Sequence, residues 1–274
     1  MRKFYGLPYQ GSKNSLAEEI IDFLPAGNRF VDLFGGGGSI SHCASLSGKW
    51  NCVLYNEFSP LVAKGFDMAI HNEFSDESRW ISREEFHRLK GTDPYVAICF
   101  SFNSNLLVYS YSPEVEVYAK AVYYNTVFND SSFITEDIKP DVNKHTKSGR
   151  EPITRLQRIK SIGEEHLTNI TVNCGDYKDY EYQEGDIVYC DIPYEGTDCR
   201  FYKGFNNKEF YDWAISRPYQ VFFSSYDISD SRFNIVWDKE KTISCGNNNK
   251  GGTRIERIYS NFPYKKKNIF IFGK

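Results

Sequence analysis

A chain of 274 residues with 41% hydrophobic residues is long enough for one large domain, or for one domain with an insertion, and it can fill a sizeable core. The formal net charge of −3 at pH 7 excludes a uniformly basic surface that coats nucleic acid, but a local basic face is compatible with it. No apolar run approaches the roughly 18 residues that span a bilayer, and residues 1–13 lack an apolar signal core, so we expect a cytoplasmic protein without a membrane partner.

Cysteine and histidine usage gives no sign of a metal centre. The seven cysteines are an odd number, are widely scattered and include no Cys-x-x-Cys pair, so we expect reduced thiols. The five histidines lack metal-ligand spacing and do not cluster with cysteines. We therefore expect an activity that needs no metal.

Strand-like and helix-like segments alternate in both terminal parts of the chain. The run "RFVDLF" from Arg29 predicts a strand, a glycine-rich turn follows, and a helix begins near Ser39. A second strand, "NCVLYNE", ends at Glu57. Later segments predict strands in "NITVNC", "GDIVYC" and "YQVFFSS", and a helix in "NKEFYDWAIS" capped by Asn206 or Asn207. This alternation predicts an α/β fold with a mostly parallel sheet covered on both faces.

The alternation of strands and helices stops between about residue 64 and residue 154. This stretch is polar, aromatic and charged, with helical fragments such as "SREEFHRLK" and "EVEVYAKAVYYNTVF". It predicts a mainly helical insertion at 66–151 within a main domain formed by 1–65 and 152–274. After Trp237, two alternating runs flank the loop "GNNNKGG" and predict an antiparallel hairpin that completes the sheet.

Three predicted strands end in residues suited to a nucleoside-containing ligand. Ligands of open parallel sheets bind beyond the carboxyl ends of the strands. The first strand is followed by Gly35–Gly38, which permit close backbone approach, although Ile40 breaks the Gly-x-Gly-x-x-Gly spacing. Glu57 ends the second strand and can accept hydrogen bonds from two ribose hydroxyls, and Asp176 after the third can accept from an adenine amine.

The fourth strand runs into Asp191-Ile192-Pro193-Tyr194, "DIPY". The Asp191 carboxylate and the following carbonyl provide two acceptors in fixed relative position, enough for both hydrogens of an exocyclic amine. Tyr194 can stack on the ring that carries the amine. Alignment and charge placement are the main needs of methyl transfer from a sulfonium donor, so the segment fits that reaction. A simple turn, in which Asp191 caps backbone amides and Tyr194 packs, is the alternative.

Five motifs together resemble one enzyme family. They are "YQGSK" at 9–13, "DLFGGGGSIS" at 32–41, "YNEFSP" at 55–60, "NCGDYKDY" at 173–180 and "DIPY" at 191–194. Their order and spacing are similar to those of Dam-like DNA adenine methyltransferases, a group that includes many phage enzymes. The resemblance implies a Rossmann-like, S-adenosylmethionine-dependent methyltransferase fold with an inserted target-recognition region. It also implies transfer of a methyl group to the N6 amine of an adenine flipped out of double-stranded DNA at a specific site.

The resemblance also implies roles for individual residues. Lys13 would reach the donor's carboxylate, Glu57 would bind its ribose, and Asp176 and Tyr177 would flank its adenine. The full cofactor-binding set comprises Tyr9, Lys13, Asp32, Phe34, Gly35, Gly36, Gly37, Gly38, Ser39, Glu57, Asp176 and Tyr177. Asp191, Ile192, Pro193 and Tyr194 form the catalytic set, in which Ile192 stands where the family usually has proline. Isoleucine keeps the required carbonyl, and Pro193 still favours an extended conformation before it, so we expect the substitution to be tolerated.

The inserted region contains the candidate DNA-binding residues. "CFSFNSNLLVYSY" resembles the family segment that enters DNA beside the target base, with Phe102-Asn103 as its aromatic–amide pair but without the family's nearby arginine. Asn103 or Asn105 is suited to reading an adenine edge, and Tyr109 or Tyr111 to filling the space of the flipped base, unless these aromatics are helix core. The loop 247–252 is a further candidate. A phosphate-binding face is predicted at Lys144, Lys147, Arg150, Arg155, Arg158 and Lys160.

Other functions share some of these features. A catalytically silent DNA-binding relative is consistent with Ile192 and the missing arginine. Methylation of cytosine's exocyclic amine would use the same two acceptors, the Asp191 carboxylate and the Ile192 carbonyl, which together with Tyr194 are called the amine clamp below. A small-molecule or RNA methyltransferase fits less well with the basic run and the large insertion. Methylation of a cytosine ring carbon is disfavoured because no cysteine follows a proline.

Overall fold

The computed structural model describes residues 3–196, 204–243 and 252–264. Within them, seven strands form a sheet in the order β3-β2-β1-β4-β5-β7-β6. Strands β1 to β5 run parallel, and β7 pairs antiparallel with both β5 and β6. The strands are β1 Arg29–Asp32, β2 Cys52–Glu57, β3 Ile170–Cys174, β4 Asp186–Cys190, β5 Val221–Ser225, β6 Asn234–Ile243 and β7 Gly252–Ser260.

The described residues also form α-helices, which lie before and between the strands in the chain. They are α1 Ala17–Phe23, α2 Ser39–Ser47, α3 Pro60–Ile70, α4 Arg83–Leu89, α5 Pro94–Phe100, α6 Pro113–Phe128, α7 Thr146–Glu164 and α8 Asn207–Ile215. Short 3-10 turns occupy Phe102–Ser104, Val142–His145 and Tyr177–Asp179. In these described parts, no helix is long and apolar enough to cross a membrane.

The strand order confirms the predicted Rossmann-like α/β sheet. The chain adds β2 and β3 on one side of β1, then crosses to the other side to add β4 and β5. The strand order therefore reverses between β1 and β4, where ligands of doubly wound sheets bind. The predicted hairpin is also confirmed, although its first strand begins at Asn234, before Trp237.

Side chains that alternate along the strands cover both faces of the sheet. In β5, Phe222 contacts Phe23 of α1, with ring centroids 6.4 Å apart, and Phe223 contacts Phe210 of α8 at 5.4 Å. Successive residues of a strand point to opposite faces, so these two contacts lie on opposite sides of the sheet. The prediction of a sheet covered on both faces is thereby confirmed.

Local capping explains where several helices begin. The Asn206 side chain accepts a hydrogen bond from the Glu209 amide, which confirms the predicted cap of α8. Ser82 and Glu85 form a reciprocal capping box at α4. Helices α1, α5 and α7 were not predicted from the sequence, since α5 lies in an apolar run and α7 in a segment read only for its charge.

The chain divides into two compact units. The helical unit comprises Met1–Ser15, Gly36–His42 and Pro60–Thr168, and the sheet unit comprises Leu16–Gly35, Cys43–Ser59 and Asn169–Lys274. The predicted division into a main domain of 1–65 and 152–274 and an insertion at 66–151 stays a prediction. Helix α7 runs from Thr146 to Glu164 and therefore continues past residue 151, the expected end of the insertion.

Candidate functional site

Asn56 joins the ends of three neighbouring strands in the sheet unit. Its Nδ2 donates hydrogen bonds to the carbonyls of Leu33 (3.1 Å) and Gly175 (3.0 Å), and its Oδ1 accepts one from Asn173 Nδ2 (2.6 Å). The side chain is buried. The tips of β1, β2 and β3 are therefore held in a fixed arrangement. Sequence analysis missed this role, although a buried amide in an otherwise apolar strand was a usable signal.

A pocket lies beside these tips within the sheet unit. Aromatic rings form its walls, and Phe34 lies 5.1 Å from Tyr177 and 5.6 Å from Phe205 between ring centroids. Phe58, which is 57% exposed, also lines the pocket. The polar lining residues include Asp176, Lys178, Asn206 and Glu209. Apolar walls with a few polar groups suit a flat heteroaromatic ring. Phe58 and Phe205 were not predicted.

The two acidic residues predicted at the strand ends occupy different environments. Glu57 is fully buried, and its Oε1 accepts a hydrogen bond from the Ser59 amide at 2.7 Å. Asp176 is partly exposed, lines the pocket and accepts from the Lys178 amide at 3.0 Å. Both carboxylates thus accept hydrogen bonds from backbone amides, which orient them.

Close packing explains the glycine run after β1. A Cβ at Gly35 would lie 2.2 Å from the Tyr55 ring in the sheet unit, and one at Gly38 would lie 2.3 Å from the Phe66 ring in the helical unit. Gly38 also has a φ of +75°, which disfavours any other residue. Aromatic side chains of the protein therefore already require glycine at these two positions, which sequence analysis had attributed to a ligand.

The segment that contains "YQGSK" is fixed inside the helical unit. The Leu7 amide donates to the Gly37 carbonyl at 2.7 Å, and a Cβ at Gly37 would meet Tyr9 at 2.6 Å. Lys13 and Ser39 are both buried in this unit. The predicted cofactor residues Tyr9, Gly36, Gly37, Gly38 and Ser39 are thus brought together, whereas Asp32, buried at the end of β1, belongs to the sheet unit.

His42 reinforces the same segment. Its Nδ1 accepts a hydrogen bond from the Gly6 amide at 2.9 Å, so the proton of the neutral ring lies on Nε2, 2.5 Å from Glu165 Oε2. Burial lowers the pKa of His42, and the neighbouring Glu165 carboxylate opposes this shift only in part. The neutral ring therefore joins the amino-terminal segment to the end of α7.

The "DIPY" segment leaves β4 with no cis peptide bond. Asp191 is half-buried, while Ile192 is 2% exposed and belongs to the apolar cluster around Val188 and Phe210. The Ile192 side chain therefore contributes to the apolar core, whatever its backbone carbonyl does. The Pro193 carbonyl accepts a hydrogen bond from Asn207 Nδ2 at 2.8 Å, which fixes the end of the segment against α8.

The Tyr194 hydroxyl lies between two carboxylates. It donates a short hydrogen bond to Glu256 Oε1 and lies 3.4 Å from Asp191 Oδ1. Burial, together with the charges of Asp191 and Glu256, raises the pKa of Tyr194 well above that of an ordinary phenol. The hydroxyl therefore keeps its proton at any physiological pH. Glu256 was not predicted from the sequence.

The chain matches a family of known proteins. The family described as D12 class N6 adenine-specific DNA methyltransferase matches residues 9–243. The chain belongs to this family. The predicted resemblance to DNA adenine methyltransferases is thus confirmed.

Two curated relatives each align with most of this chain. The type II methyltransferase M.FokI of Planomicrobium okeanokoites is 22% identical over 231 residues, which cover 76% of this chain and 31% of that protein. The retron Ec67 DNA adenine methylase of Escherichia coli is 25% identical over 232 residues, which cover 78% of this chain and 72% of that protein. The chain thus spans about a third of the first relative and nearly three quarters of the second.

The predicted DNA-entering segment of this D12-family chain forms a tight loop in the helical unit. Phe102 N donates to Val108 O at 2.7 Å, which closes the loop Phe102–Val108, called the hairpin loop below. Asn103, Ser104 and Leu106 all have positive φ, between 50° and 57°. Such conformations cost most L-residues roughly 1–2 kcal/mol each. The loop exposes three large apolar side chains, those of Phe102, Leu107 and Val108.

Of the predicted DNA-binding residues, the two tyrosines are core residues. Tyr109 is buried and its hydroxyl donates to Ile81 O at 2.8 Å, and the buried Tyr111 hydroxyl donates to Ser148 O at 3.0 Å. Of the two interpretations left open, core packing describes them in this structure. Asn105 Oδ1 accepts from two loop amides, whereas Asn103 is exposed.

The basic run 144–160 does not form a single face. Arg155 is buried, and its guanidinium donates to the carbonyls of Cys99 (2.9 Å) and Ser101 (2.6 Å). Because the Arg155 guanidinium is directed inward to the base of the hairpin loop, we do not propose it as a phosphate contact. Lys147 and Arg150 are exposed, as is Lys144, which forms an ion pair with Asp141. Most of the candidate loop 247–252 lies outside the described residues.

Metal ligands do not cluster in the described ranges. There, no group of three or more His, Cys, Asp or Glu side chains is arranged to hold a metal ion. The Asp191–Tyr194 segment and the pocket contain carboxylates, carbonyls and aromatic rings, groups that can form hydrogen bonds and stacking contacts.

Proposed function

We propose that the chain transfers a methyl group from S-adenosylmethionine to the N6 amine of an adenine flipped out of double-stranded DNA. Membership of the D12 family supports the reaction class. The observation that carries the proposal is the position of Asp191 and Tyr194. They follow β4, one of the two strands between which the strand order reverses, in the same unit as the aromatic pocket.

The residues of the sheet unit fit the nucleoside part of S-adenosylmethionine. Phe34, Phe58 and Tyr177 offer flat apolar walls for adenine, and Asp176 offers an acceptor for its amine. The buried Glu57 carboxylate is suited to ribose hydroxyls. Lys13 is proposed as the counter-charge for the donor carboxylate. When bound, S-adenosylmethionine supplies an electrophilic methyl group on a sulfonium centre.

The clamp prepares the amine for methylation. The Asp191 carboxylate and the Ile192 carbonyl accept the two amine hydrogens, which reduces delocalisation of the nitrogen lone pair into the ring. Tyr194 stacks on the base and holds its plane. Asp191 is also proposed to accept the proton that the amine releases after methylation.

Base flipping makes the amine accessible to this clamp. An amine inside a stacked duplex cannot reach a carboxylate in the protein, so the base must leave the helix. The hairpin loop offers an exposed aromatic ring, Phe102, that can stack in the duplex. Lys144, Lys147 and Arg150 are proposed to contact phosphates, and Asn103 or Asn105 to read a base edge.

The decisive experiment is expression in a host that lacks DNA methylation, followed by nucleoside mass spectrometry and single-molecule sequencing. We expect N6-methyladenine within a defined sequence motif. Asp191→Ala should abolish the modified base, whereas Asp238→Ala, which removes an exposed carboxylate of β6, should not. N4-methylcytosine instead of N6-methyladenine would change the substrate, and an unmodified genome with retained DNA binding would favour a catalytically silent protein.

A further inference from the structure

Glu256 is a buried carboxylate whose position next to the clamp suggests a function. It lies on β7, is 1% exposed, and accepts the hydrogen bond of the Tyr194 hydroxyl. Burying a carboxylate is costly unless hydrogen bonds or charges compensate for its lost hydration. A strand residue that served only to fill the core would be apolar, so the buried carboxyl group points to a role for its acceptor oxygens.

Tyr194 has a single hydroxyl hydrogen and two carboxylates within reach. The hydroxyl is much closer to Glu256 Oε1 than to Asp191 Oδ1, which is 3.4 Å away. Because the raised pKa of Tyr194 keeps its hydroxyl protonated, it donates to one of them at a time. A bond to Asp191 would occupy an oxygen that the target amine needs.

The Tyr194 ring is also supported from the side. It meets the ring of Tyr226 edge to face, with centroids 4.6 Å apart, and the Arg254 guanidinium lies 5.0 Å from the Tyr226 ring centroid. A hydrogen bond at one end and an edge contact at the side define both the position and the tilt of the ring. Because the Tyr194 ring is already fixed, its side chain loses little conformational entropy when a base stacks on it.

We propose that Glu256 is a positioning residue of the amine clamp: it accepts the Tyr194 hydrogen, orients the stacking ring and keeps the hydroxyl away from Asp191. This inference rests on the proposed function and adds a second carboxyl-bearing residue, after Asp191, to the clamp. Glu256 acts through Tyr194 and does not touch the reacting atoms.

The test compares two substitutions of similar size. Glu256→Gln keeps an acceptor oxygen for the hydroxyl, whereas Glu256→Leu removes it and still fills the space. Steady-state methylation is measured with tritiated S-adenosylmethionine on duplex DNA, and thermal unfolding checks that each variant is folded. We expect Glu256→Leu to lower kcat about tenfold or more with KM for the donor changed less than about threefold, and Glu256→Gln to keep kcat within about threefold. Glu256→Met replaces the leucine variant if that variant does not fold.

A double-mutant cycle separates positioning from a general structural effect. In a Tyr194→Phe background no hydroxyl is present, so Glu256→Leu should change kcat less than about twofold. An equal loss in both backgrounds, or a Glu256→Leu enzyme with the wild-type kcat, would overturn the inference while the proposed function stands. A folded wild-type protein that methylates no base would overturn the proposed function and this inference with it.

Discussion

The segment Asp191–Tyr194, proposed to hold the target base, and the hairpin loop Phe102–Val108, proposed to enter the duplex, are stabilised in different ways. The first is fixed by partners far away in sequence, with Asn207 on the Pro193 carbonyl and Glu256 on the Tyr194 hydroxyl. The second is closed by hydrogen bonds within and next to the loop, with one more from Lys90 Nζ to the Leu107 carbonyl, and it contains residues with positive φ.

This difference fits two different tasks. Orienting an amine for in-line attack requires atoms fixed to within about 0.5 Å, which buried long-range hydrogen bonds provide. Entering a duplex requires apolar surface that is exposed before binding, and the hairpin loop exposes Phe102, Leu107 and Val108. The comparison predicts that substitutions in the first region reduce the chemical step, and that substitutions in the second weaken DNA binding.

The largest effect is expected for Asp191→Ala. Loss of the carboxylate removes the main acceptor for the target amine, so kcat should fall by at least about 10²–10³-fold. Binding of duplex DNA should change little, because phosphate contacts dominate affinity. Tritium transfer at saturating DNA measures kcat. A decrease below about tenfold would contradict the clamp assignment.

Arg155 should matter for stability because it holds residues 98–101 at the base of the hairpin loop. Arg155→Met leaves the carbonyls of Cys99 and Ser101 without a buried donor, and we expect the free energy of unfolding to fall by about 3 kcal/mol. The exposed Arg150 is the matched control: Arg150→Met should stay within about 0.5 kcal/mol. Urea denaturation measures both, and equal stabilities would show that the buried guanidinium contributes nothing.

Phe102→Ala tests the second half of the comparison. An aromatic ring that stacks on bases contributes about 1–3 kcal/mol, so DNA binding should weaken by about 5- to 150-fold while donor binding is retained. Val117→Ala, which removes an equally exposed apolar side chain from α6, should leave binding unchanged. Fluorescence anisotropy at one fixed salt concentration gives both affinities. Unchanged binding in Phe102→Ala would remove the hairpin loop from the DNA interface.

The smallest effect concerns the backbone of the hairpin loop. Asn103 has a φ of 50°, which asparagine tolerates better than alanine and glycine adopts without strain. We expect Asn103→Ala to lower the free energy of unfolding by about 1 kcal/mol, and Asn103→Gly to change it less. Urea denaturation again measures the difference. If alanine proved as stable as glycine, the loop would have relaxed out of this conformation.

Much of the sheet was predictable because its signals are local. The strands β1 to β5, the cap of α8 and the terminal hairpin all follow from short apolar runs and turn residues. The clamp could be proposed from the sequence for the same reason, since its four residues are contiguous. The burial of Tyr109, Tyr111 and Arg155 was not predictable, because an aromatic or basic residue has the same sequence signature inside and outside a helical unit.

The sequence by itself determined the α/β class, the family and the positions of the carboxylates at the strand ends, because each is encoded in a contiguous motif. Only the tertiary structure decided which groups surround those motifs. Tyr194 meets Glu256, 62 positions away, because β7 lies beside β5 in the sheet. Asn56 reaches Leu33 and Gly175 because three strands end side by side. Contacts of this kind depend on the strand order, which no local pattern of residues specifies.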